Sequence, residues 1–373
     1  NIEIKKKEKI DFIVNNSTSE NTEFLSQVLN KSDEINIGSS IDKIFETNND
    51  LVASVINNLS KENSVFLTTS DSETNNTIKE KIYTQMLNDN DNIDIIGKII
   101  SKSDNNTIEK IVNIVSSSSN NNTNSNLSLQ VLSSVADANA ATTTDPTASN
   151  ISFLDTDGQN EVNKLIENAV ANASSDPESA KMLANVITKG DQDSVGLVIS
   201  NIQTISENNS DSNLSLQVLS SVADANAATT TDPTASNISF LDTDGQNEVN
   251  KLIENAVANA SSDPESAKML ANVITKSDAA TVKSMFNTIA IVSTNNQNFN
   301  LAAQVLSNVA STVAISNTNE NSTVTNEVNN FINTVTATTE TVETTAEYNS
   351  NGYNASQNYI TAYNKIISGG GSP

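Results

Sequence analysis

A chain of 373 residues with 20 basic side chains, 45 acidic ones and a net charge of −25 has the wrong sign for a nucleic-acid footprint. Every basic residue is lysine, and histidine, cysteine and tryptophan are absent. That removes thiol nucleophiles, histidine-based triads, ordinary zinc or haem ligation and bidentate arginine clamps.

Aromatic residues make up only 4% of the chain and hydrophobic residues 36%, so a core must be assembled from Ala, Val, Ile and Leu. Such a core suits thin stacked helical layers better than one thick globule. Abundant Asn, Ser and Thr lower helix propensity between the apolar stripes.

The N-terminal stretch Ile2–Phe12 carries Lys5, Lys6, Lys7 and Lys9 and alternates partly like a strand. Its lysines suit edge protection, docking on an acidic neighbour or, as the plainer expectation, a solvated arm. Further on, Asn76–Ile100 reads as a degenerate version of Asn160–Ile187.

Lys102, Lys189 and Lys276 then follow one another at intervals of 87 residues, each with an Asp two positions on. Behind these aspartates come Ile108, Ile111, Val112 and Val115; Val195, Val198, Ile199 and Ile202; and Val282, Met285, Phe286 and Ile289. Each set follows i, i+3, i+4, i+7, one face of an α-helix, with the Asp placed as its N-cap.

The interval of 87 is literal in the middle of the chain, because Ser125–Lys189 recurs letter for letter as Ser212–Lys276. The block Gln130-Val131-Leu132-Ser133 appears at Gln217 and once more at Gln304. Fixed-period self-similarity is the mark of a repeat architecture. Within one copy the pattern predicts helices over Leu127–Asn139, Gln159–Ala173, from Pro177 to a stop at Gly190, and over Gln192–Ser206. Asp176 suits the N-cap of the third, Pro177 its first position and Glu178 the positive end of its dipole.

The Thr-rich stretches Ala140–Asp157 and Ala227–Asp244 predict long surface loops, with a short strand at Ile151–Leu154. The runs Ser116–Ser125 and Ser316–Ser322 have the composition of disorder. Four of the five tyrosines, Tyr348, Tyr353, Tyr359 and Tyr363, gather near the end, ahead of a Gly-rich tail. They suit a capping helix near Ala355–Ile367 or a contact surface.

The expected fold is therefore mainly α: tandem helical-hairpin repeats forming an α-solenoid or stacked bundle. Its expected divisions are an N-terminal arm and diverged region (1–75), a degenerate repeat (76–124), two full units (125–211 and 212–298), a partial unit (299–345) and a terminal segment (346–373). Pro177, Pro264 and Gly190 interrupt any single continuous rod, and the apolar faces are too short for a coiled coil.

One motif invites a calcium reading. Asp155 and Asp157, with their copies Asp242 and Asp244, flank a tight Asp-Gly turn. The EF-hand spacing fails in both registers, since Lys164 or Ile166 falls where the bidentate Glu belongs. A turn and helix cap is the plainer reading, and Ca²⁺ is the only cofactor the chain suggests. Asn-X-Ser/Thr triplets such as Asn58-Leu59-Ser60 and Asn126-Leu127-Ser128 have the form of N-glycan acceptors.

No apolar run reaches the roughly 20 residues that span a bilayer. No signal peptide is visible, and a start at Asn1 rather than Met suggests that an upstream segment has been removed or omitted. These features together predict a non-enzymatic structural protein, self-associating through its units, in an extracellular filament, a cell-surface structure or a virion. Alternatives are an adhesin whose Thr-rich loops contact a host surface or glycan, and a tape-measure-like spacer.

Overall fold

In this computed structural model the described residues run from 2 to 309, apart from 63, 70–72, 122–125, 143–155, 174–175, 191, 209–212, 230–242, 261–263, 278, 296–300 and 303. Every regular element among them is helical. Their contacts divide into two units, Asn1–Ala173 and Ser174–Pro373.

The first unit holds α1 (Ile2–Asn15), α2 (Thr22–Asn30), α3 (Glu34–Thr47), α4 (Val52–Lys61), α5 (Val65–Thr68), α6 (Glu73–Leu87), α7 (Ile93–Ile100), α8 (Asn105–Asn121), α9 (Leu127–Thr142) and α10 (Thr156–Ala171). Contacts run between alternate helices. One layer is built by α2 on α4, α4 on α7 and α7 on α9; the other by α1 on α3, α3 on α6, α6 on α8 and α8 on α10. Consecutive helices such as α6 and α7, α8 and α9, or α9 and α10 close the hairpins that join the layers.

The second unit repeats the scheme with α11 (Pro177–Lys189), α12 (Gln192–Asn208), α13 (Leu214–Thr229), α14 (Thr243–Asn259), α15 (Pro264–Lys276) and α16 (Ala279–Asn295). Here α11, α13 and α15 make one layer, while α12, α14 and α16 make the other. This is the helical-repeat architecture that the patterning predicts.

A helix flanked on both sides within its layer and backed by a hairpin partner is buried nearly all round. α13 shows this: Leu214, Leu216, Val218, Leu219, Val222 and Ala223 are all buried, and so is Ser215. Helices buried on several sides lose the clean apolar stripe of a surface helix. Among described residues the fully buried aromatic rings are Phe66, Tyr83 and Phe286; aliphatic side chains fill the rest of the core.

Capping follows the sequence. Asp176 accepts from the backbone N–H groups of Glu178 and Ser179 at 2.9 and 3.0 Å, with Pro177 opening α11. Asp104 accepts from the N–H of Thr107 at 2.8 Å. The aspartates at 191 and 278 lie outside the described residues. Replacing Asp176 by Ala should cost about 1 kcal/mol, read as a shift in the urea midpoint at unchanged m-value. α11 stops at Gly190 as expected, in extended backbone (φ −80°, ψ 158°).

Three expectations are corrected. The N-terminal stretch is neither a strand nor a free arm: α1 is helical and seats Ile10 and Val14, one turn apart, in the core. The lysines that resemble a strand edge are equally good helix formers. Lys43 on α3 reaches Asp11 on α1 at 3.7 Å.

The second correction concerns serines 116 to 119, which belong to α8 rather than to a disordered run. The hydroxyls of Ser116, Ser117 and Ser119 each donate to the carbonyl four residues back at 2.8 Å, so the helix absorbs its own polar groups.

The third is that the predicted 140–157 loop is shorter at both ends. α9 continues to Thr142 and α10 begins at Thr156, one residue before Asp157. Residues 143–155, including the expected strand at Ile151–Leu154, lie outside the described residues, as do 316–322 and the tyrosine-rich terminus.

Candidate interaction surfaces

The residues singled out for calcium are not brought together into a describable site. Asp157 and Asp244 fall in the first turns of α10 and α14, and Asp155 and Asp242 lie outside the described residues. Among the described residues no group of three or more acidic side chains is arranged to hold a metal ion. The glycan triplets fare poorly as accessible acceptors. Asn58-Leu59-Ser60 lies within α4 with Leu59 and Ser60 buried, and Leu127 and Ser128 are buried at the start of α9.

The structure does reveal polar links that the sequence did not announce. In the first unit the Ser119 and Ser128 hydroxyls meet at 2.9 Å, joining α8 to α9, and Asn168 on α10 donates to Ser116 on α8 at 2.7 Å. In the second unit Ser206 and Ser215 meet at 2.8 Å and Ser215 donates to Asn255 on α14. The serine pair and the asparagine recur at the 87-residue interval, whereas Gln203 stands in the place of Ser116, so the asparagine bonds a different serine in each unit. Buried hydroxyls and amides satisfied in this way fix which helix faces meet, because a shifted partner leaves them unpaired.

A second cluster fastens α13 to α15. Asn272 donates to Ser220 Oγ at 3.0 Å and to Asp224 Oδ1 at 2.8 Å, and Lys276 forms an ion pair with Asp224. In the first unit the turn containing α5 is latched from α6: Tyr83 donates to the Leu67 carbonyl at 2.8 Å and Lys79 to the Thr69 carbonyl at 2.6 Å. Lys79 is buried with its ammonium 4.9 Å from the Phe66 ring centre.

The Lys102 ammonium donates to the Ser60 carbonyl at 3.1 Å, tying the end of α7 to the end of α4. Desolvation, and then the charge of Lys98, pull its pKa below the ordinary lysine value. A lysine whose pKa falls on folding binds fewer protons folded than unfolded at alkaline pH. Its contribution to stability therefore rises with pH between the folded and the ordinary value. In a side-chain ¹⁵N titration Lys102 should lose its proton below the ordinary lysine pKa.

Among the described residues, two shallow grooves lie between neighbouring helices. One, about 550 Å³, lies between α6 and α8 and is lined by Glu80, Thr84, Lys110, Asn113 and Ile114 among others. The other, about 270 Å³, lies between α4 and α7 beside Asn57, Asp91, Asp94 and Lys98. Both mix opposite charges with small polar groups. Exposed large apolar side chains include Phe12 on α1, Phe24 on α2 and Ile35 on α3. Phe12 and Phe24 stand on the sides of the first two helices opposite their buried residues.

The fold defines a helical-repeat protein. No protein-family model matches the chain, and no curated protein matches it in sequence. Among solved structures it is similar to the RNA-binding domain of yeast Puf5p bound to SMX2 RNA, at 12% identity over 90% of this chain and 98% of that one, with a TM-score of 0.22. It is also similar to a computationally designed self-assembling cyclic homooligomer, at 13% identity over 98% of both chains, with a TM-score of 0.16. At these TM-scores neither likeness carries an argument. No helix among the described residues is long and apolar enough to cross a membrane.

Proposed function

We propose that this chain is a non-enzymatic structural protein that self-associates through its repeat units in an extracellular filament, a cell-surface structure or a virion. The observation that carries the reading is the duplication of a whole helical segment, Ser125–Lys189 as Ser212–Lys276, into a fold whose helices contact mainly their neighbours. Copying a unit extends such a fold without redesigning its core. The residue types most used in catalysis, histidine and cysteine, are missing. The charge of −25 opposes nucleic acid as a partner.

Negative-stain electron microscopy of the purified chain over a range of concentrations, with and without Ca²⁺, tests this directly. Ordered polymers growing with concentration are the expected result. Uniform single particles at every concentration would overturn self-association and favour an adhesin or spacer.

A further inference from the structure

The duplication gives each chain two copies of the same helices. α9 and α13 are both LSLQVLSSVADANAAT, and α11 and α15 are both PESAKMLANVITK. The face that α13 offers to α15 is thus also present on α9, where Ser133 and Asp137 stand for Ser220 and Asp224. The groups α15 brings are specific: Asn272 to Ser220 and Asp224, Lys276 to Asp224, with Ala267, Leu270, Ala271 and Ile274 buried beneath.

We propose that two copies of the chain bind by exchange: α15 of one copy leaves α13 and displaces what α9 of the other holds at home, packing there with the contacts that α13 gives it. This rests on the self-associating reading above and names its mode. A second copy is the matching occupant because α15 and α11 carry the complement of that face letter for letter. Exchanged and native pairings use the same side chains, so neither is favoured by its local contacts. Protein concentration and the cost of local opening then decide between them, as in domain swapping. Because one unit's helices meet the other unit's surface, the contact need not close on itself, and it is able to propagate.

The test uses the full chain and a paired charge reversal, Asp224→Lys with Lys276→Asp. The reversal keeps an opposite-charge pair between α13 and α15 at home. In the exchanged pairing it sets Asp at position 276 against Asp137 of the other copy, a like-charge contact. After refolding at high protein concentration, light scattering behind size exclusion should find wild type associated and the reversed variant about tenfold less so. Adding Asp137→Lys and Lys189→Asp makes the two segments identical again and should restore association.

If the reversed variant associates like wild type, exchange is overturned while self-association stands. A wild type that stays monomeric at all concentrations overturns both. A readout independent of the variant's folding uses the cysteine-free background. Copies carrying Ser133→Cys alone are refolded with copies carrying Asn272→Cys alone and treated with a short bismaleimide. A heterodimeric cross-link is expected, and its absence under associating conditions overturns the proposal.

Discussion

Replacing Gly97 by valine should lower stability by about 3 kcal/mol. Gly97 lies in α7 where it crosses α9, and both helices are packed in the same layer. A Cβ added there would sit 2.6 Å from the Ser134 carbonyl carbon and 2.7 Å from Ser134 Cβ. Backbone carbon cannot swing aside as a side chain can, so the helices must separate and the isoleucines on either side of Gly97 lose contacts. Alanine should cost less than valine. Adding Ser134→Gly to Gly97→Ala should recover only the part of the loss due to the serine side chain. Thermal and urea unfolding followed by circular dichroism reads all three. Gly97→Ala at or above wild-type stability would show that the two helices are not held this close.

The same position explains how far the sequence could be read. At the 87-residue interval Gly97 corresponds to Ala184 and Ala271, both buried. The spacing therefore marks an equivalent small-residue site in each helix, but letters alone do not say that α7 and α9 approach closely enough to require glycine.

Helices with an unbroken i, i+3, i+4, i+7 face, such as α8 and α12, were legible because one apolar stripe meets one core. Asp104 and Asp176 were legible because a cap is a local interaction. The polar links were not. Ser119, Ser128, Ser206 and Ser215 look like the solvent-facing serines around them, and only tertiary packing places them at 2.8–2.9 Å in pairs.

α1 was misread for a related reason. Its apolar residues Ile2, Ile4, Ile10 and Phe12 fall at even spacings that suit a strand. Helical packing uses only Ile10 and Val14 among those whose burial is described and leaves Phe12 exposed. The calcium reading rested on a tight turn at Asp157, which the start of α10 at Thr156 replaces by a helical turn.

Placing an aspartate at Leu219 should remove about 4 kcal/mol or more, because an ionised carboxylate would occupy a site with no exposure to water. Leu219 lies in α13, the helix that packs on α11, α12, α14 and α15 together, so no neighbour is spared. In a repeat fold stability is approximately a sum of unit terms and nearest-neighbour interface terms, and damage spreads only as far as those interfaces carry it.

Hydrogen exchange read by mass spectrometry should therefore show fast exchange through α11–α16 in Leu219→Asp, while α2, α4 and α7 keep their protection. Leu132 is the same residue of the same sixteen-residue sequence in α9 and is equally buried. Leu132→Asp should produce the opposite map, with protection lost around α7–α10 and kept in α14–α16. Two identical helices giving complementary maps would establish that neighbours, and not letters, decide local stability in this chain. Loss of protection throughout the chain in both variants would instead show one cooperative fold, in which the duplicated segments are held together as strongly as the helices within them.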